Sequence, residues 1–432
     1  MGTDRHRARH PWVYVALTAA FAGLAGSMLW AYPRWRWLGE LPSRAEILAE
    51  TVSGRFSGLG SGGASVPGAR VIGAGGIPQP AMANVEKIFR RETDWLLACL
   101  TETGTFALAP GSDRIIPYFG NQAAVALLPE HPDKVKGHLE WYLSHLNRPD
   151  RWRLPGTVYD YTITAQGEIP TGSYDSADAY AATFLTAVAR YWQATGDTQF
   201  VTAHRDDLDL VAGVLVTLQD SDGLMWARPG HWVKYLMDNS ENFQGLQDYA
   251  WLLGQLGDRK AATYWGERAK AVRLGIKQVM YRPGQGEYCW AVKLSGTRRL
   301  PNWRQWYPDA ASQLFPVLCG VERPDSRAAR AVYRHFTSFY PSWASAPDPR
   351  HVPWGFLPPV ALAMDDQQRL ALALETADGL PARASVWHPG EAAWVLGTAR
   401  AWLAGAAQQQ AGSALTDAAG QQAGRLQAVA ER

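Results

Sequence analysis

The stretch SADAYAATFLTAVARYW, residues 176–192, decides the fold. Small and apolar side chains run around its whole circumference, and Arg190 is its only charge beyond the first turn. A helix apolar on nearly all sides must be buried on nearly all sides. The stretch DRKAATYWGERAKAVRLGIKQV, residues 258–279, differs: charges recur along one face, as on a helix with one wet side. A chain that uses both kinds in turn builds one helical layer inside another.

Outward from these two, helix-length apolar periodicity recurs. The segments are 81–101, 118–128, 132–147, 176–195, 203–219, 239–255, 258–281, 309–320, 326–341, 354–365, 366–379 and 388–404. Ser176, Asn239 and the pair Pro308–Asp309 suit helix starts. Strand patterns are short and confined to connections, at Thr157–Thr164 and Tyr288–Lys293. The connections entering even-numbered helices are long (102–117, 148–175, 220–238, 282–308, 342–353, 380–387) and those leaving them are short. This asymmetry predicts an all-α domain over 81–404: six hairpins in a closed double ring, six helices inside and six outside, with the long loops on one face. An open solenoid of helical pairs is the alternative, disfavoured because no fixed repeat length is present.

The flanks read differently. Residues 1–10 are basic, and 11–32 (PWVYVALTAAFAGLAGSMLWAY) carry no charge. As one helix these would span about 33 Å, enough for a bilayer's hydrocarbon core. We expect a cytoplasmic N-terminus, a single transmembrane helix and an extracytoplasmic domain; a cleaved signal peptide and a secreted domain is the alternative. Residues 33–80 include the Gly-rich run SGRFSGLGSGGASVPGARVIGAGGIPQP and read as a tether. Residues 405–432 are a low-complexity Ala/Gln/Gly tail.

The chain of 432 residues has 42 basic and 40 acidic side chains, a net +2, which speaks against a nucleic-acid partner. Its three cysteines, Cys99, Cys289 and Cys319, stand far apart and suit neither a disulfide scaffold nor a thiolate metal site. His131, His138 and His145 read as a surface stripe, Asp206, Asp207 and Asp209 as a solvated helix start, and Gly284–Glu287 as a turn. No metal or cofactor is expected.

The unusual feature is aromatic. Of 20 tryptophans, Trp152, Trp226, Trp232, Trp290, Trp303, Trp306, Trp343, Trp354 and Trp387 fall in or beside the long connections, with Tyr118, Tyr159, Tyr161, Tyr174, Tyr235 and Tyr307. Aromatic loops either pack over the mouth of a barrel or stack sugar rings. Acidic residues open the even helices: Asp175 and Asp178, Asp238 and Glu241, Asp309, and Glu391. Each alone suits a helix start through capping and the macrodipole. Together, on converging helices, they would ring one pocket. Glycoside hydrolysis needs two carboxyl groups flanking the scissile bond, one protonated and one ionised.

The six-hairpin pattern, with SADAYAATFL, DNSENFQGLQDYA, YPDAASQLFPVL and WHPGEAAW, resembles the (α/α)6 toroid glycosidases, particularly the glucoamylase-like group, over 81–404. The resemblance implies a carbohydrate substrate and hydrolysis with inversion. It places a substrate-binding acid at Asp178, the general acid at Glu241 or Asp238, and the base at Glu391. Asp175, Tyr174, Asp309, Trp232, Trp303, Trp306, Trp354 and Trp387 complete the expected substrate site. Two other functions remain open: a polysaccharide lyase or unsaturated-uronide hydrolase built from Tyr174, His231, Lys234 and Arg304, and a non-catalytic carbohydrate-binding or polysaccharide-assembly protein.

Overall fold

The computed structural model describes residues 82–348, 350–379 and 387–407. The expected basic terminus, membrane helix at 11–32 and tether at 33–80 lie outside the described residues, as does 408–432 of the tail. Among the described residues no helix is long and apolar enough to cross a membrane.

Thirteen α-helices are described: α1 (Met82–Ala98), α2 (Pro117–Leu127), α3 (Pro132–Ser144), α4 (Ala177–Thr195), α5 (Thr198–Ala203), α6 (Arg205–Leu218), α7 (Leu236–Gln255), α8 (Arg259–Gly275), α9 (Phe315–Leu318), α10 (Arg327–Phe339), α11 (Leu357–Ala363), α12 (Gln367–Ala377) and α13 (389–407). Each of the twelve expected segments is helical. The addition is α5, started by Asp197, whose carboxylate accepts from the Phe200 N–H at 2.9 Å.

The eighth expected segment is irregular. It runs as a π turn (Trp306–Ala310), a 3-10 turn (Ala311–Leu314) and only then α9. Two prolines explain this. Tyr307, before Pro308, is extended at φ −119°, ψ 135°, as a residue preceding proline prefers. Pro316 has no N–H to give to the turn before it.

The even set, α2, α4, α7, α9 and α11, packs each against the next in chain order. Helix α13 closes the circuit. Its Trp394 meets Phe315 of α9 and Phe356 at the start of α11, and its Arg400 donates to the Ala126 carbonyl of α2 at 2.6 Å. Outside, α3 packs on α2 and α4, α6 on α4, α8 on α7, and α12 on α11 and α1. The last contact is a clasp: Lys87 and Arg91 of α1 meet Asp378 at 2.9 and 3.0 Å, and Arg91 donates to the Ala377 carbonyl. A circuit that returns to its start is consistent with an (α/α)6 toroid.

Eight short strands stiffen the long connections. β1 (Arg114–Ile115), β2 (Tyr161–Thr164) and β3 (Gly167–Pro170) form one antiparallel sheet, with Ile115 opposite Tyr161 and Tyr161 opposite Pro170. β4 (Val233–Tyr235) pairs with β7 (Ala291–Lys293), and β7 with β8 (Arg298–Arg299). β5 (Tyr281–Arg282) and β6 (Glu287–Tyr288) close a hairpin over the expected turn at Gly284–Glu287.

One histidine corrects the sequence reading. His138 is not on a surface stripe but fully buried, bridging Thr105 Oγ1 and Asn121 Oδ1 at 3.0 Å each. Burial lowers its pKa to about 3, so it is a neutral core group linking α3 to α2. Cys99, Cys289 and Cys319 are free and buried, as expected of packed thiols.

Candidate active site

The site is built where α4 and α7 meet. Gly245 presses on the Ala182 backbone so closely that a β-carbon would stand 2.4 Å from the Ala182 carbonyl oxygen. Small residues on the inner helices let the backbones touch. One turn earlier, that approach brings Asn242 Nδ2 to 2.8 Å from Asp178 Oδ2. Asp178 is fully buried, and its other oxygen has no hydrogen-bond partner.

Asp238, in the first turn of α7, accepts from Ser176 Oγ at 2.7 Å. Glu241, on the next turn, is buried and accepts from the Tyr118 hydroxyl at 2.6 Å. Tyr118 comes from the start of α2 and stacks on Tyr180 of α4, 5.9 Å between centroids. Tyr180 donates to Asp160 at 2.9 Å, just ahead of β2. Three inner helices and one loop thus contribute to one acidic group.

The environment favours protonated carboxyls. Burial, followed by the charge of Asp238, pushes Asp178 well above the usual range. Burial does the same to Glu241, against the Tyr118 hydrogen bond. Burial also lifts Asp238 to about 7, opposed by Ser176 and reinforced by the charge of Asp175. Asp160 rises to about 6 by burial, eased by Tyr180 and Arg114. Asp238 and Asp160 are part-buried and Asp175 is exposed, so these three are the members open to a ligand.

Glu391 sits apart. It is 1% exposed, and its carboxylate accepts from the Trp354 N–H at 3.1 Å and the Gly355 N–H at 2.5 Å. A β-carbon on Gly355 would come within 2.7 Å of the Glu391 carbonyl oxygen, so the loop entering α11 is fastened to α13 here. His388 Nε2 lies 3.7 Å away. Burial raises Glu391 to about 7, and the further charge acting on it is Glu92 rather than any member of the acidic group. The nearest link between the two places is the ring of Phe119, beside Tyr118, which lies 4.1 Å from His388.

The aromatic residues divide. Trp306 is 6% exposed, donates to the Pro353 carbonyl and lies flat on His351 at 4.3 Å. Trp354 is 3% exposed and donates to the Trp343 carbonyl, while Trp387 is 6% exposed and donates to Glu92. Trp303 stacks on His335 of α10 at 4.0 Å and donates to Glu287. These four pack the loops to the rings. Trp232 is part-buried, edge-on to Trp226 at 6.0 Å. Asp309 is buried and accepts from the Asn302 N–H at 2.7 Å, shaping its own loop. Tyr174 is buried with its hydroxyl on Asp150 at 2.5 Å.

Three of the residues named for a lyase have partners within the fold. Lys234 is held between Asp220 and Asp222 at 2.8 and 2.7 Å, Tyr174 is occupied by Asp150, and His231 pairs with Tyr235 at 2.9 Å. Among the described residues no group of acidic, histidine and cysteine side chains is arranged to hold a metal ion. Asp160 escaped the sequence reading because it opens no helix. Its only signal is an acid set among aromatics in TVYDYTIT, 157–164.

No family model and no curated protein matches the chain in sequence. In structure it is similar to a GH63 mannosylglycerate hydrolase from Thermus thermophilus in complex with glucose (TM-score 0.50, 12% identity, covering 75% of this chain and 99% of that one). A glycosidase variant in complex with glucose aligns with a TM-score of 0.52 at 12% identity, over 74% of this chain and 98% of that one. A GH78 family rhamnosidase of Bacillus sp. GL1 aligns at TM-score 0.50 and 15% identity, over 74% of this chain. The chain spans 34% of that rhamnosidase's length. These neighbours belong to the (α/α)6 six-hairpin glycosidases, and the likeness is one of fold.

Proposed function

We propose that this chain is a glycoside hydrolase acting on an oligo- or polysaccharide, with Asp238 as general acid. The observation that carries the reading is the Asp238–Asp175 pair. Asp238 is part-exposed and lifted to about 7, and the Asp175 charge contributes to that lift. Acid–base hydrolysis requires one carboxyl that holds a proton near the working pH and a second carboxyl to act on water. A general acid works best with a pKa near the operating pH.

Glu241 is closed off by Tyr118 and serves in this reading as the neutral back wall. The resemblance implies Glu391 as base, but two backbone N–H groups occupy its carboxylate. We therefore give the base role to Asp175, the exposed carboxylate of the group. In the reaction, Asp238 delivers its proton to the glycosidic oxygen as the bond to the anomeric carbon breaks. Asp175 takes a proton from the water that attacks that carbon from the opposite face. Asp238 then recovers a proton from solvent.

The test is reducing-end release from a panel of glycans by the full chain. Asp238→Asn should lower turnover by roughly 10²–10⁴-fold. Absence of hydrolysis across the panel, or unchanged turnover in Asp238→Asn, overturns the proposal. The anomeric form of the first product, followed by NMR, distinguishes inversion from retention. We infer an extracytoplasmic workplace from the uncharged run 11–32; protease protection in intact cells tests it.

A further inference from the structure

Trp152, in the long loop between α3 and α4, has two guanidinium groups at its ring. Arg151 lies 4.1 Å and Arg228 5.5 Å from the ring centroid. The loop reads Arg151–Trp152–Arg153, while Arg228 comes from the connection ahead of β4. Of the other part-buried arginines, Arg91, Arg190, Arg205, Arg282, Arg369 and Arg400 each meet a carboxylate, Arg273 donates to the Val321 carbonyl, and Arg268 lies over the Tyr264 ring. Among the described residues Arg228 meets neither a carboxylate nor a carbonyl. Its Nε is closed to solvent and has no acceptor. A buried charged donor left unpaired is costly, and the cost persists only if something else is gained.

Arg228 stands beside the acidic group. It follows Ala227, whose carbonyl accepts from the Asp178 N–H at 3.3 Å. On the other side, Trp152 continues by ring contact to Tyr174 at 4.9 Å and from there to Tyr180 at 6.4 Å, which holds Asp160. Carboxylates are therefore near, yet Arg228 hydrogen-bonds to none of them among the described residues. A guanidinium held against an aromatic ring keeps its forked N–H groups poised for an incoming oxyanion, so less freedom is lost on pairing.

We infer that Trp152, Arg151 and Arg228 form a subsite for an anionic sugar unit, whose carboxylate or sulfate group supplies the missing partner of Arg228. The substrate class is then an acidic glycan. This rests on the carbohydrate reading above and deepens it.

Direct binding tests the inference independently of turnover. The full-length chain carrying Asp238→Asn is titrated calorimetrically with neutral, oligogalacturonate and sulfated hexasaccharides, each at low and high salt. The expected result is affinity for one anionic hexasaccharide at least about ten-fold above the neutral one. Which of the two binds distinguishes a carboxylate from a sulfate. Adding Arg228→Gln should abolish the preference, Arg228→Lys should keep part of it, and Arg334→Gln, an exposed arginine on α10, should leave it intact. Melting temperatures verify that the Lys variant is folded. Equal affinity for neutral and anionic hexasaccharides, or a preference that survives Arg228→Gln, overturns the inference and leaves the carbohydrate reading standing. Binding of none of the three overturns both.

Discussion

The Tyr118 hydroxyl donates to Glu241 Oε1 at 2.6 Å, tying the start of α2 to the second turn of α7. A phenol is an O–H donor that cannot supply a full positive charge, so it stabilises the carboxylate without cancelling the cost of burial. The result is a carboxyl held in place and kept neutral.

Tyr118→Phe removes that donor. Glu241 should then bind its proton more tightly still, because the hydrogen bond is what lowers it. Infrared spectroscopy of the buried carboxyl band should show that band persisting to higher pH than in the parent. The stability loss should be about 1 kcal/mol, the usual net value of one hydrogen bond.

Turnover should fall as pH rises through about 7, since Asp238 must carry its proton to act as acid. Asp175→Asn removes a charge that raises Asp238. The alkaline limb of the kcat/KM profile should therefore move to lower pH in that variant, besides any loss of turnover. A limb that stays in place would show that the two carboxyls do not sense each other.

Glu391 makes stability depend on pH. Its folded pKa is raised from 4.5 to about 7. The fold thus holds a proton that the unfolded chain releases between those values. Stability is fully present below about 4.5 and is lost as pH rises through about 7, by on the order of 3 kcal/mol. Glu391→Gln should lower the melting temperature, because the amide has one acceptor oxygen where the carboxyl offers two to the N–H groups of Trp354 and Gly355, and its NH2 is itself a donor. It should also flatten the slope of melting temperature against pH over that window.

Two glycines on inner helices should respond oppositely to alanine. At Gly245 the new carbon meets the Ala182 backbone at 2.4 Å, so Gly245→Ala should cost about 1–3 kcal/mol or more and disturb the Asp178–Asn242 pair. At Gly397, in α13, nothing lies within 4 Å, and Gly397→Ala should stabilise by up to about 1 kcal/mol. Thermal melts of the two variants check this.

Trp306→Ala should behave as a core truncation, costing about 3–5 kcal/mol, because its ring is stacked on His351 and its N–H is held by Pro353. Comparing its melting temperature with its ligand affinity separates packing from sugar contact.

The helices were legible because circumferential burial and one-sided burial leave different patterns. The stretch 176–192 and the stretch 258–279 carry that difference openly, and α4 and α8 follow them. The irregular start of the eighth segment was legible only in its prolines. Asp178, Asp238 and Glu241 could be paired from sequence because they open helices that had to converge. Asp160 could not, because it belongs to a loop whose path depends on β1, β2 and β3 pairing. The aromatic loops were ambiguous for a physical reason: a tryptophan composition is the same whether its ring faces a sugar or a histidine. Trp303 and Trp306 face His335 and His351. Glu391 has the same ambiguity, since a carboxylate at a helix start suits catalysis and loop anchorage alike.

The clasp between α1 and α12, with Arg400 of α13 lying over the Phe89 ring, leaves the circuit without a seam of its own. Where the polypeptide begins is then incidental to how the helices pack. A circular permutant, with the old ends joined and a new opening in a short outer turn such as 256–257, would retain every interface. Excising one hairpin would not, because a shortened ring has a different curvature at each junction. A loop can be lengthened without touching those junctions.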